Sequence, residues 1–178
     1  MISYVGGQIR TFKNIGHFNK LFILKTISLL IIAISLSILV QAQQPLTKDE
    51  QNVQKTVINF FETLSNRDSL KLKDYCTDDI LLLEYGQAWT LDTLIRKAIR
   101  LNTANDFKRV NTIDFITSSV ENKTAWTTYN LHSEIMKEGK LITIHWMETV
   151  VAVKERKRWK IKVLHSTLIK RNYNLDCH

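Results

Sequence analysis

Tyr129, Glu148 and His165 lie in three neighbouring segments rich in Thr, Val, Ile and Trp, and each carries acid–base chemistry. A carboxylate set among Trp, Val and Leu side chains is partly desolvated, which raises its pKa. A protonated imidazole beside it favours the ionised form instead. Opposed tendencies of this kind tune an acid–base pair near neutrality. A phenol alongside can donate a hydrogen bond to a carbonyl oxygen or a developing enolate. The set suits proton abstraction next to a carbonyl, or dehydration. It also reads as a satisfied polar row that fixes strand register, because buried polar groups need partners whether or not they catalyse anything.

Whether the three groups meet depends on strands. From Phe107 onward the sequence predicts four long strands, at 107–120, 124–136, 141–153 and 159–169. The polar breaks Glu121-Asn122, Glu138-Gly139 and Arg156-Lys157 separate them, which makes an antiparallel meander. With Glu138-Gly139 as a two-residue turn, Tyr129 faces Glu148 and Leu131 faces Trp146. With Arg156-Lys157 as the next turn, Glu148 faces His165, Val150 faces Val163 and Trp146 faces Thr167. Alternation then places Ala125, Thr127, Tyr129 and Leu131 on the same face as Glu148 and His165. Lys160 and Lys162 lie on the other face. With Glu121-Asn122 as a turn, Asp114 faces Tyr129 and extends the polar row. The alternate face of that strand holds Phe107, Ile113 and Phe115, so a bulge or the opposite register remains open.

The elements before the meander supply its cover. Thr47 and Glu50 have capping-box spacing. Val53, Val57, Phe60, Phe61 and Leu64 follow at helical spacing, predicting an amphipathic helix that ends near Asn66. A short second helix holds Leu70, Leu72 and Tyr75. A short strand covers 80–85, and Gly86-Gln87 turns the chain before Ala88-Trp89. Thr90 caps a third helix with Leu91, Leu94, Ile95, Ala98 and Ile99 on one stripe. Helices first and strands later make the class α+β: a curved antiparallel meander sheet forming a cone, covered by three N-terminal helices. Trp146, Thr167, Phe60, Tyr75, Trp89 and Asp114 are the candidate ligand-binding residues of that cone. Aromatics at such spacing are more often plain core or part of a convex dimer face, a reading that applies to Trp89, Trp126, Trp146 and Trp159 and to Phe60, Phe61 and Tyr75.

The order of elements resembles the nuclear transport factor 2-like superfamily, the SnoaL-like or cystatin-like α+β cone, over about residues 49–170. Ala125-Trp126-Thr127-Thr128-Tyr129, His145-Trp146-Met147-Glu148-Thr149 and Trp159-Lys160-Ile161-Lys162-Val163-Leu164-His165-Ser166-Thr167 are similar to segments of exported bacterial members. The superfamily holds isomerases, cyclases, dehydratases, hydrolases and non-catalytic binding modules, so the resemblance implies fold more than activity. Its steroid isomerase branch uses an aspartate base with a tyrosine and a protonated carboxylic acid; here Glu148 or Asp114 would substitute for the base. Its SnoaL-type cyclases use a pocket acid–base group, for which His165 or Glu148 would be analogues. Its epoxide hydrolase branch uses an Asp-Arg-Asp cluster, and no arginine falls on the expected concave face.

The chain has 178 residues, 44% of them hydrophobic and 24% charged, which is room for one globular domain, two at most. Its formal charge of +8 is concentrated at the start, where residues 1–42 carry Arg10, Lys13, Lys20 and Lys25 and no acid. The remainder has 21 basic and 17 acidic residues, interspersed apart from Lys154, Arg156, Lys157 and Arg158. A nucleic-acid binder wants a basic stripe that tracks phosphates, and none is expected here. A basic segment, an apolar run over 26–40 and Val40-Gln41-Ala42 have the layout of a signal peptide cleaved after Ala42. The domains are then a signal peptide at 1–42 and an exported cone at 43–178, periplasmic or secreted. A membrane span needs about 20 apolar residues. Extension back to Leu21 reaches that length across Lys25, so an uncleaved anchor in the inner membrane is the alternative.

Cys76 and Cys177 read as two separate thiols or a late tether. His132 faces His145 on the other side of the sheet, without evident Asp, Glu or Cys partners for a metal. His-Glu-x-x-His, Cys-x-x-Cys and Gly-x-Ser-x-Gly are all absent. No metal or cofactor is expected. Three functions remain open: binding of a small, largely apolar ligand, cofactor-independent isomerase or lyase chemistry, and a non-catalytic module that dimerises through the convex sheet face.

Overall fold

The computed structural model describes residues 45–174. The expected signal segment and Cys177 lie outside them.

Helix α1, Lys48–Ser65, starts at a full capping box in which Thr47 and Glu50 satisfy each other's backbone donors. Its stripe of Val53, Val57, Phe60, Phe61 and Leu64 is buried. A short α2, Ser69–Leu72, leads into β1, Cys76–Glu84, and β2, Gln87–Trp89. Thr90 caps α3, Leu91–Leu94, through the Thr93 amide, and the chain continues as a π-helical turn over Ile95–Arg100. Strands β3, Lys108–Glu121, β4, Thr124–Lys137, β5, Lys140–Glu155, and β6, Arg158–Asn174, form the meander.

The sheet has six strands in the order β2-β1-β6-β5-β4-β3. It is not wholly antiparallel, because β1 lies parallel to β6. The helical segments between β2 and β3 carry the chain from one sheet edge to the other. The turns at Glu138-Gly139 and Arg156-Lys157 form where expected, both residues of each having positive φ as a type I′ hairpin requires. The β3–β4 turn falls one residue later than expected, with Glu121 paired to Thr124.

Three ladder irregularities matter for the site. Ile116 is an extra residue in β3, and Lys162 and Ile169 are extra residues in β6. A bulge bends its strand and exchanges the faces of the residues beyond it. The concave face carries Ala125, Thr127, Tyr129, Leu131, Trp146, Glu148, Val150 and Ala152, all buried as expected. Asp49 ties α1 to the end of the sheet, taking Lys154 Nζ at 2.8 Å and Trp159 Nε1 at 3.2 Å.

Candidate functional site

A cavity of about 470 Å³ opens between the concave face and the helical segments. Its apolar wall includes Phe60, Phe61, Leu64, Trp89, Leu131, Ile144 and Trp146, and its polar groups include Glu84, Arg109 and Glu148. Pockets of this size with a few convergent polar groups are the usual form of a small-molecule site.

Among the described residues Glu148 is the most buried charged side chain. Its β5 position opposite Tyr129 was expected from the Glu138-Gly139 turn and is observed. Only 3% of it is exposed, and burial pushes its carboxyl up to about 7. The hydrogen bond from Ser166 and the nearby Tyr129 phenol oppose that shift, whereas the Glu84 charge adds to it. Ser166 Oγ lies 2.8 Å from Glu148 Oε1 and 2.7 Å from Glu84 Oε1. Tyr129 and Glu148 influence each other's ionisation, yet among the described residues neither the Tyr129 hydroxyl nor Glu148 Oε2 makes a hydrogen bond of acceptable geometry. Burial, and then the Glu148 charge, hold the Tyr129 phenol protonated well beyond its ordinary range.

His165 does not join this group. The pairing expected from the Arg156-Lys157 turn holds as far as Ala152 and Ile161, and then the Lys162 bulge intervenes. Beyond it Val150 faces Leu164, Glu148 faces Ser166, and His165 pairs with Thr149 as an exposed residue. Thr167 is likewise exposed and pairs with Met147, while Trp146 faces Leu168 and lines the cavity. Asp114 pairs with Asn130 rather than Tyr129, and Phe115 takes the inward place. The later turn and the Ile116 bulge together produce that register, and Asp114 Oδ2 ends 3.9 Å from His132 on the other face. Phe60 and Trp89 line the cavity as expected, whereas Tyr75 packs against the core outside it.

Glu84, Ser166 and Arg109 were not singled out by sequence. The alternation of Ile80, Leu82 and Glu84 along β1 is a signal that would have pointed to the first. The expectation that no arginine lies on the concave face is overturned by Arg109. Its Nε donates to Asn111 Oδ1 at 2.9 Å and its Nη2 to Ser133 Oγ at 3.1 Å. The guanidinium lies 5.8 Å from the ring centroids of both Phe61 and Trp146. Among the described residues no carboxylate lies within 4.0 Å of it. Burial lowers its pKa and the Glu148 and Glu84 charges raise it. An arginine in a protein remains charged, so it is a fixed cation on the cavity wall.

Loop 101–107 shapes the rim beside it. Arg67 Nη1 donates to the Asn102 carbonyl at 2.9 Å, and Asp106 accepts the Glu138 and Gly139 amides at 2.8 and 2.7 Å. Lys97, Lys137 and Arg171 also line the cavity. On the opposite face His132 and His145 stack with centroids 4.1 Å apart. Among the described residues no group of three or more His, Cys, Asp or Glu is arranged to hold a metal.

A family model described as a SnoaL-like domain matches residues 53–169. No curated protein sequence matches the chain. Solved structures match its fold. A hexachlorocyclohexane dehydrochlorinase (LinA) type 2 is 12% identical with a TM-score of 0.59, covering 73% of this chain and 91% of its own. A nuclear transport factor 2-like protein from Cytophaga hutchinsonii is 15% identical with a TM-score of 0.58, covering 70% and 100%. A ketosteroid isomerase-like protein from Erwinia carotovora atroseptica is 13% identical with a TM-score of 0.56, covering 70% and 99%. At these identities the likeness is one of fold alone.

Proposed function

Because the chain belongs to the family of SnoaL-like domains, we propose that its cone binds a small, largely apolar molecule that carries one oxygen-bearing, anionic or strongly polarised end. One observation carries this reading: a cavity of about 470 Å³, walled by aromatic and aliphatic side chains, sets Arg109 and Glu148 on its surface. The apolar wall supplies affinity through burial, at roughly 25 cal/mol per Å² of apolar area removed from water. Arg109 has no partner carboxylate among the described residues, so it fixes the orientation of an incoming oxygen. The leader-like segment at 1–42 supports the further proposal that the domain is exported, with cleavage after Ala42. N-terminal sequencing of the protein recovered from a cell fractionation tests that part.

The binding reading is tested with the amphipathic anion 1-anilinonaphthalene-8-sulfonate. Ala98 lies half-buried on the cavity wall. Saturable binding at one site, lost in Ala98→Trp while the circular dichroism spectrum is retained, is the expected result. Equal binding by the filled variant places the dye elsewhere and defeats the reading.

A second reading has its own observation. Glu148 has a carboxyl pushed up to about 7 and faces the cavity. A base of that strength is suited to removing a proton beside a carbonyl at neutral pH. On this reading the domain is a cofactor-independent isomerase or lyase, with Glu148 as base and Arg109 stabilising the enolate oxygen. Deuterium exchange at the α-carbon of small cyclic enones, followed by NMR, separates the two. Exchange abolished in Glu148→Gln with dye binding intact supports catalysis. No exchange above solvent background leaves a binding protein.

A further inference from the structure

We propose that Glu84, Ser166 and Glu148 form one proton-sharing unit in which the two carboxyls together hold a single proton at neutral pH. The cone would therefore present a carboxylic acid and a carboxylate side by side.

The argument is a count of hydrogens. Ser166 Oγ lies 2.7 Å from Glu84 Oε1 and 2.8 Å from Glu148 Oε1, both within the range of O–H···O hydrogen bonds. A serine hydroxyl has one hydrogen to donate, and an ionised carboxylate has none. Both contacts are hydrogen bonds only if one carboxyl is protonated and donates to Ser166, which then donates to the other. If both were ionised, two negative oxygens would crowd a single hydroxyl in an apolar cavity, a costly arrangement in a low dielectric. Of the other groups around the pair, Arg109 on β3 is the cation whose field reaches both glutamates, Lys97, Lys137 and Arg171 line the same cavity, Tyr129 on β4 is a neutral phenol, and Ser166 is the β6 partner. His165, on the far face of β6, reaches Glu84 only through its field. Tyr85 and Arg171 bond each other at the rim. Burial raises both glutamates above the ordinary carboxylate range.

Such a unit does more than one buried acid. When the ionised glutamate accepts a proton from a substrate C–H, the C–H electron pair passes to the neighbouring carbonyl oxygen as an enolate. The protonated glutamate can return its own proton to a second carbon of the same substrate. Ser166 then accepts a proton from the first carboxyl as it donates one to the other, which restores the starting state. Nothing is oxidised or reduced and no proton is gained or lost overall. The substrate class is one in which a proton leaves one position and returns at another. That role rests on the reading of the cone as a ligand site. The shared proton does not, and it can be observed without any ligand.

The test uses the full chain labelled with 13C at the glutamate carboxyls. Two separate titration steps for Glu84 and Glu148, with one carboxyl still protonated at about pH 7, are expected. In Glu84→Gln the Glu148 step should move down by about one pH unit, since a like charge has been removed. Infrared spectra of the unmodified protein give a measurement that needs no variant: a protonated carboxyl band at neutral pH that shifts in D2O. Both glutamates ionising together near the ordinary carboxylate range, or the absence of that band, would overturn the proposal. Failure of dye binding with the band present would instead remove the ligand reading and leave the shared proton standing.

Discussion

Ser166 of β6 stands opposite Glu148 of β5, and its hydroxyl joins that carboxylate to Glu84 of β1. Three strands therefore converge on one oxygen, and the two glutamates that it joins line the cavity. Lys162 is the cause, because the extra residue sends Ser166 inward and His165 outward. Among the described residues the cavity lining includes these two glutamates, and His165 is not part of it.

The first prediction concerns pH and stability. Glu148 has a folded pKa of about 7 against 4.5 for the free side chain. Between those values the native state holds a proton that the unfolded chain has released. Stability contributed by the protonated carboxyl is therefore present at low pH and lost as pH rises through the folded pKa. The loss is on the order of 3 kcal/mol at most. Glu84 acts in the same direction. Urea unfolding from about pH 5 to about pH 8 should show this fall in the native protein and a flatter profile in Glu148→Gln. Parallel profiles would contradict the buried ionisation.

Tyr129 is fully buried, and among the described residues its hydroxyl has no hydrogen-bond partner of acceptable geometry. Removal of an unsatisfied buried polar group costs nothing structurally and relieves its desolvation. Tyr129→Phe should be neutral or more stable by up to about 1 kcal/mol. A loss of more than about 1 kcal/mol would mean that the phenol bonds Glu148 in solution.

Arg109 should set the charge preference of the cavity. In Arg109→Met the aliphatic bulk against Phe61 and Trp146 is retained and the charge is lost. Affinity for 1-anilinonaphthalene-8-sulfonate is expected to fall roughly tenfold, about 1.4 kcal/mol. Affinity for uncharged 1-anilinonaphthalene should stay within about twofold, a few tenths of a kcal/mol. Equal losses for the two dyes would show that Arg109 acts through packing alone.

Cys76 is 1% exposed, and burial pushes its thiol up to about 11. The thiolate is the reactive form, so alkylation should be slow in the folded protein. Iodoacetamide at about pH 8, with peptide mapping by mass spectrometry, should label Cys76 only when urea opens the domain. Rapid labelling in buffer would contradict the packing around β1.

Local sequence was enough to determine the element order, the capping box of α1, the two type I′ turns and the inward faces of β4 and β5. The opposition of Tyr129 and Glu148 follows from the Glu138-Gly139 turn, and period-two alternation carries it along both strands. Tertiary structure decided the rest. The Lys162 bulge leaves no mark on the alternation of side-chain types, so His165 left the cavity unannounced, whereas Phe107, Ile113 and Phe115 had left a bulge open for the strand of Asp114, which the later turn and Ile116 together moved out. The parallel pairing of β1 with β6 joins residues about eighty positions apart, and only that pairing brings Glu84 to Ser166. Arg109 reached the concave face because register, which is a property of two strands together, placed it there.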